Sequence, residues 1–274
     1  MKKPVLVLGG TGKTGRKIVQ HLSDAGLEYR IGSRSAEKAF DWNKPEDWPE
    51  VLAGMHSMYI SYQPDLAIPG ALESIEKLVA LAQSLGLKKL VLLSGKGERE
   101  AELCEQIVLQ SGLEATVLRA SWFNQNFSES FFLDPILQGH IALPKAQAKV
   151  PYVDTDDIAE VAFKVLTEDG HDQEIYELTG PDLWTFEEII DAIAKVSKRD
   201  LQFTPISLSA YMSVMKELQL PEDVAWLIHY LFSEVIDAPG NDFISQDIEK
   251  LLGRPATSFQ EYLNKTVKTG VWNP

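Results

Sequence analysis

Seven residues near the start of the chain, Gly9-Gly10-Thr11-Gly12-Lys13-Thr14-Gly15, constrain its fold more than any other segment. They follow Pro4-Val5-Leu6-Val7-Leu8, an apolar, β-branched run without polar alternation, which reads as a strand buried on both faces of a parallel sheet. They open a helical pattern from Lys13 to Ala25, in which Ile18, Val19 and Leu22 share one face and Gly26 supplies the stop. A glycine-rich turn between strand and helix lets backbone N–H groups approach a pyrophosphate, whose charge is favoured at a helix N-terminus. Gly9, Thr11, Gly12, Lys13, Thr14 and Gly15 are therefore candidate cofactor-binding residues. A nucleoside-triphosphate P-loop does not fit the register. Arg16-Lys17 follow Gly15 where Lys and then Ser or Thr are needed, and counting back five from Gly12 lands on Val7.

A second strand is expected over Tyr29 to Ser33. At its end, where an Asp or Glu would meet the ribose 2′-hydroxyl of NAD, the chain carries Ser33-Arg34. A guanidinium at that place pairs with a 2′-phosphate, and Lys13 offers a second cation, so NADP(H) is favoured over NAD(H).

Further strand patterns lie at Met58 to Ser61, Leu90 to Ser94 and Thr116 to Arg119, separated by helical patterns at Ala67 to Leu85 and Arg99 to Gln110. Alternation of this kind predicts an α/β fold, a Rossmann-type doubly wound parallel sheet with right-handed crossovers. After Trp122 a loop-rich stretch (124–150) leads to a strand at Pro151 to Val153, a helix from Thr155 or Asp156 to about Leu166, and a strand at Ile175 to Leu178. Beyond Gly180-Pro181 the pattern is mainly helical, opening with a capping box at Thr185 and Glu188 and continuing over 209–219, 222–236 and 245–252. The expected organisation is a dinucleotide-binding domain from 1–124 and 151–180, with a smaller, substrate-proximal domain from 125–150 and 181–274 that caps the sheet.

Net charge is −14, and its distribution is uneven: 15 − 17 = −2 over residues 1–137 against 11 − 23 = −12 over 138–274. Such a surface repels nucleic acid and anionic lipid, which leaves a small molecule as the expected partner of a monomer or homodimer. Cys104 is the lone cysteine, compatible with a cytoplasmic protein, and the Met1-Lys2-Lys3 start leads into an apolar run too short for a signal peptide or a membrane span.

With the glycine loop and Arg34 placed, the chain resembles the NmrA-like family of atypical short-chain dehydrogenase/reductases. The likeness extends through Phe40-Asp41-Trp42, Leu90 to Gly95, Ser111 to Arg119, Ser121-Trp122-Phe123-Asn124-Gln125-Asn126-Phe127-Ser128 and Pro151 to Ala159. It is especially similar to bacterial relatives of festuclavine synthase-type reductases. The resemblance implies NADP(H) binding and hydride transfer in the enzymatic members. It places Asp41 and Trp42 near the adenine, and Tyr62 and Gln63 along the cofactor.

The chain departs from the dehydrogenase pattern in its proton donor. Those enzymes use a Tyr whose pKa is lowered by a Lys four residues on. None of the tyrosines at 29, 59, 62, 152, 176, 211, 230 and 262 has Lys at that spacing, and 97–112 holds neither residue. Ser94 and Tyr62 are left as weak catalytic candidates, with Ser94 also placed along the cofactor. Trp122, Phe123, Asn126 and Phe127 are candidates for a substrate wall. Two readings follow: a reductase acting on an already electrophilic acceptor such as a quinone or iminium ion, or an NADP(H)-binding sensor acting through a protein partner. The histidines at 21, 56, 140, 171 and 229 are scattered, so no metal site is expected.

Overall fold

The computed structural model describes residues 3–274, so the Met1-Lys2 start lies outside the described residues. In chain order the elements are β1 (Val5–Leu8), α1 (Gly15–Asp24), β2 (Tyr29–Gly32), α2 (Trp48–Leu52), β3 (Ser57–Ile60), α3 (Ala71–Ser84), β4 (Lys89–Gly95), α4 (Arg99–Leu109), β5 (Glu114–Ala120), α5 (Asn126–Glu129), α6 (Leu133–Gln138), β6 (His140–Leu143), α7 (Thr155–Thr167), β7 (Glu174–Leu178), α8 (Phe186–Ser197), β8 (Gln202–Pro205), α9 (Leu208–Glu217), α10 (Glu222–Tyr230), α11 (Asp247–Leu252) and α12 (Phe259–Thr266). They form two compact units. The first ends at Ala120 and resumes over Thr155–Glu177; the second comprises Ser121–Asp154 and Leu178–Pro274. The chain passes between them after Ala120, Asp154 and Glu177.

The first unit is built on a six-stranded sheet in the order β2-β1-β3-β4-β5-β7, with β2, β1, β3, β4 and β5 mutually parallel. Every residue of β1 and β3 is buried, as their unbroken apolar character requires of strands covered on both faces. Alternation along β4 sorts the two faces. Leu90 and Leu92 join Ile75, Leu78 and Val79 of α3 and Ala101, Cys104 and Val108 of α4 in one core, with Leu6, Leu8, Met58 and Ile60 from the neighbouring strands. On the other face α1 packs against α7. The chain leaves β1 toward β2 on one side and returns at β3 on the other, which opens a crevice at the carboxyl ends of β1 and β3.

The second unit has its own core. Within the stretch read as loop, the structure forms α5, α6 and β6, and β6 pairs in parallel with β8, which follows α7, β7 and α8 in the chain. The expected strand at Pro151 to Val153 is reduced to a single bridge from Val153 to Phe123, because the backbone of this short segment is shared between partners, with the Gly180 N–H donating to the Pro151 carbonyl and Val150 bridged to Trp184. Phe127, Tyr152, Phe186 and Phe259 interlock there with ring centroids 5.5–6.4 Å apart, each contributing about 1.5–3 kcal/mol by burial. The Thr185–Glu188 capping box is formed, and an equivalent one at Ser258 and Glu261 starts α12, a helix the sequence patterns did not reveal.

Candidate active site

The glycine loop sits at the crevice between β1 and β3 and is shaped by its own backbone. Gly9 adopts φ +70°, the Gly12 N–H donates to the Gly9 carbonyl at 2.8 Å, and the Arg16 N–H donates to the Gly12 carbonyl at 3.1 Å. The glycines are required for different reasons. A Cβ at Gly15 would overlap the Gly9 carbonyl and backbone of Gly10, so this position sets how closely α1 can approach the turn. At Gly12 a Cβ would meet only the Gly9 oxygen at 3.2 Å and the Gln63 amide at 3.8 Å, so the space above it is open. That opening, next to the N-terminus of α1, fits a pyrophosphate. Thr14 is buried, and its hydroxyl accepts from the Tyr59 hydroxyl at 2.9 Å, so its side chain anchors the loop to β3. Lys17 is held to α7 by Thr155 at 2.6 Å and Asp156 at 2.5 Å.

Ser33 and Arg34 follow β2. The Ser33 hydroxyl lies 3.4 Å from that of Ser35, and Arg34 is exposed. The segment beyond is organised by aromatic packing. Trp42 lies against Phe40 (4.9 Å), Trp48 (5.6 Å) and Tyr62 (4.5 Å), which joins two residues expected along the cofactor. Asp41 holds the turn: its carbonyl accepts from the Trp48 indole at 2.8 Å and its carboxylate from the Asn43 N–H at 3.0 Å. Tyr62 is half-buried, and Gln63 is exposed beside the Gly12 opening.

Ser94 is not available to a ligand. The alternation that buries Leu90 and Leu92 under α3 and α4 turns Ser94 the same way, 4% exposed, and its hydroxyl donates to Glu105 of α4 at 2.6 Å. The same carboxylate takes both the Nε (3.1 Å) and an Nη of Arg119, whose pKa is raised first by this pairing. Ser94 is thus part of a buried tie between β4, α4 and β5. A feature missed in the sequence lies just beyond it. Glu98, 6% exposed, folds its carboxyl back over Gly95, with Asp65 from the segment after β3 as a neighbouring acid. Burial and then the neighbouring Asp65 charge hold Glu98 well above the usual carboxylate range, and burial also raises Asp65. The one available signal was the Gly97-Glu98-Arg99-Glu100 turn itself, acidic where a tyrosine and lysine are absent.

In the second unit, Phe127 is fully enclosed and packs on Phe132, Tyr152, Phe186 and Phe259, which makes it a core ring and not a pocket wall. Trp122, Phe123 and Asn126 are half-buried, with Trp122 edge-on to Phe186 and Phe232. Asn124, passed over in the sequence, is fully buried with both side-chain amide atoms unpartnered. Among the described residues no cluster of His, Cys, Asp and Glu suits a metal ion, and no helix is long and apolar enough to cross a membrane.

A sequence profile described as the NmrA-like family matches residues 102–263, more than half of the chain. The chain belongs to the NmrA-like family. Curated relatives span nearly its whole length. It is 27% identical to prestalk A differentiation protein A of Dictyostelium discoideum, covering 97% of this chain and 93% of the relative. It is 26% identical to agroclavine dehydrogenase of Claviceps fusiformis (96% and 98%) and 27% identical to the NAD(P)H azoreductase of Xenophilus azovorans (94% and 96%). Among solved structures, an NADPH-dependent quinone oxidoreductase from Escherichia coli, complexed with NADPH, superposes with a TM-score of 0.79 at 20% identity, covering 96% of this chain and 99% of that one. That likeness speaks for the Rossmann-type fold. The match to a clavine dehydrogenase agrees with the sequence resemblance.

Proposed function

We propose that this chain is an NADPH-dependent reductase that passes hydride to a small, already electrophilic acceptor such as a quinone, an iminium ion or a related conjugated system. The observation that carries the reading is the open space at Gly12, set between β1 and α1 in a chain whose relatives include a named NAD(P)H azoreductase and a named dehydrogenase. Bound there, a reduced nicotinamide cofactor supplies the hydride. The chain's own residues hold and orient it: the Gly9–Gly15 backbone faces the pyrophosphate, Arg34 and Lys13 take the 2′-phosphate, and Trp42 with Tyr62 offers an aromatic wall along the cofactor's length. Trp122 and Phe123 are the proposed acceptor-facing rings. Positioning supplies most of the catalysis, because an activated acceptor needs little more than correct placement against the hydride donor.

The test is NADPH oxidation at saturating cofactor with a quinone, a cyclic iminium and an unactivated ketone. The reading expects turnover of the first two and little of the third; fast reduction of the ketone alone would overturn it. The Dictyostelium relative, named for differentiation and not for an activity, favours a second reading in which the chain senses NADP(H) through a protein partner. Micromolar or tighter NADPH binding with no turnover of any acceptor would select it.

A further inference from the structure

The helix α10 continues past Tyr230 into a π turn over Leu231–Val235, in which the Ile236 N–H donates to the Leu231 carbonyl five residues back at 2.9 Å. It is the one π turn among the described residues, and such turns are rare and frequent at functional sites. Here the turn brings Phe232, 3% exposed, against two rings from other segments of the second unit. Trp122, which follows β5, lies at 5.6 Å and Tyr211 of α9 at 5.3 Å, both edge-on. Trp122 and Tyr211 are each half-buried, so a covered ring carries two that reach solvent. α9 has no fully buried residue, and its Tyr211, Met212 and Met215 lie partly covered along the second core.

The packing leaves over the polar atoms of the two visible rings. Neither the Tyr211 hydroxyl nor the Trp122 indole N–H has a hydrogen-bond partner among the described residues, and both are open to solvent. Other tyrosine hydroxyls are spent or enclosed: Tyr59 donates to Thr14 at 2.9 Å, Tyr262 to Ser128 at 2.8 Å, and that of Tyr152 is sealed in the core. Burial alone pushes the Tyr211 phenol up to about 12, so at neutral pH it keeps its proton and acts as a hydrogen-bond donor.

We propose that Tyr211 selects acceptors that carry a carbonyl oxygen, its hydroxyl donating a hydrogen bond to that oxygen while the acceptor's flat ring system lies against Trp122. This rests on the reductase reading above, in which Trp122 faces the acceptor, and adds the polar contact that fixes the acceptor's orientation. Apolar rings alone hold a flat molecule without orienting it, and one placed donor removes that freedom. In quinone reduction a hydride from NADPH bonds to one carbonyl oxygen, and the electron pair displaced through the ring settles on the other. That second oxygen takes a proton from water, leaving the hydroquinone, NADP⁺ and hydroxide. A hydrogen bond to the oxygen that collects the charge strengthens as the charge develops, so it lowers the barrier more than it aids binding. Tyr211 keeps its own proton throughout. An iminium ion takes the hydride at carbon, and its C=N π pair becomes the amine lone pair. It has no oxygen for the hydroxyl to hold, so the two acceptors divide a contact with substrate from a role in the fold.

The experiment compares wild type with Tyr211→Phe, which keeps the ring on Phe232 and removes only the hydroxyl. The acceptors are a naphthoquinone and a dihydroisoquinolinium ion, matched in two-ring size, each at saturating NADPH. Tyr211→Phe is expected to lower kcat for the quinone about 10- to 100-fold, the scale of one hydrogen bond to a charged oxygen, with KM changed less. The iminium kcat and KM should stay within about twofold, and the melting temperature should not fall, since the hydroxyl has no protein partner to lose. A measurement on wild type stands apart from any variant. Carbonyl-labelled naphthoquinone bound to the NADP⁺-loaded protein, which cannot reduce it, should show an infrared carbonyl band at lower frequency than in hydrocarbon solvent. Equal loss on both acceptors, a quinone rate indifferent to Tyr211→Phe, or an unshifted carbonyl band in wild type overturns the role of Tyr211 and leaves the reductase reading standing. Absence of turnover of either acceptor by wild type overturns both.

Discussion

Replacing Ser94 by Ala separates the role this serine has in the fold from the one its position after β4 suggested. The hydroxyl donates at 2.6 Å to a carboxylate 2% exposed, so the variant loses one hydrogen bond to a charged group, worth about 1.5–3 kcal/mol. The lower end applies, because Glu105 Oε1 keeps the Arg119 Nε–H at 3.1 Å and the pairing of its second oxygen with the guanidinium is untouched. At about 2–4 °C per kcal/mol for a protein of this size, the melting temperature should fall by roughly 3–6 °C. Glu105→Ala is the harsher change, since it leaves Arg119 and the Ser94 hydroxyl facing a vacated site. Breaking a buried pair costs about 3–5 kcal/mol, and the low end is expected because Arg119 is partly exposed and has Glu177 at 3.9 Å. Combining the two substitutions should cost less than their sum, since they share one hydrogen bond. Calorimetric melting and steady-state NADPH oxidation are the two assays. Ser94→Ala should retain kcat within about twofold. A drop in kcat of about 100-fold with an unchanged melting temperature would place the hydroxyl at the reacting atoms and refute the structural assignment.

Arg34→Ala should weaken NADPH by about 1.5–3 kcal/mol, the range of a charged hydrogen bond, and leave NADH nearly unchanged; equal wild-type affinity for both cofactors by calorimetry would refute the specificity argument. Cys104 is fully buried, with burial and then the Glu105 charge pushing its thiol up to about 12, so a thiol-alkylating reagent at pH 8 should label it only after denaturation, as read by mass spectrometry. Gly12→Val should keep the native circular dichroism spectrum with only a small loss of melting temperature, from its Cβ lying 3.2 Å from the Gly9 oxygen, while abolishing NADPH binding, because the rest of its side chain fills the opening. Gly15→Ala should destabilise the fold itself, because its Cβ meets backbone; reversal of this pair of outcomes would show that the open space is not the phosphate site.

Sequence and structure agree most closely where a pattern is local. The Pro4–Leu8 run, the glycine cluster and the alternation of strands with helices each encode an element and its neighbour, and the parallel pairing of β2, β1, β3, β4 and β5 is what strand–helix–strand alternation requires. Legibility fails where a residue's role depends on partners distant in the chain. Ser94 carries no mark of Glu105 or Arg119, and Phe127 reads equally as wall or core until Tyr152, Phe186 and Phe259 close around it. The short β6 and β8 strands escape for another reason. Each has four residues, and their pairing spans the whole of α7, β7 and α8.

The absence of the tyrosine and lysine also has a geometric aspect. In this chain β4 ends at Gly95 and α4 begins at Arg99, so three residues, Lys96, Gly97 and Glu98, make the entire connection. A tyrosine and lysine four apart need a full turn of helix facing the ligand, and α4 instead spends its first turns burying Ala101 and Cys104 and presenting Glu105 to Arg119. Of the connecting residues, Lys96 is drawn to Glu177 and Gly97 takes φ +80°, which turns the chain back and sets Glu98 above the end of its own strand. The tightness of the turn thus removes the room for one kind of proton donor and puts a carboxyl at the end of β4. Lengthening the turn by a Gly-Ser insertion after Gly97 tests this directly. It should release the Glu98 carboxyl from above Gly95 and return it toward the ordinary carboxylate range, as read by NMR titration of the carboxyl carbon, with NADPH affinity unchanged because the glycine loop is untouched. A carboxyl that titrates just as high in the inserted variant would show that the tight turn is not what withdraws it from water.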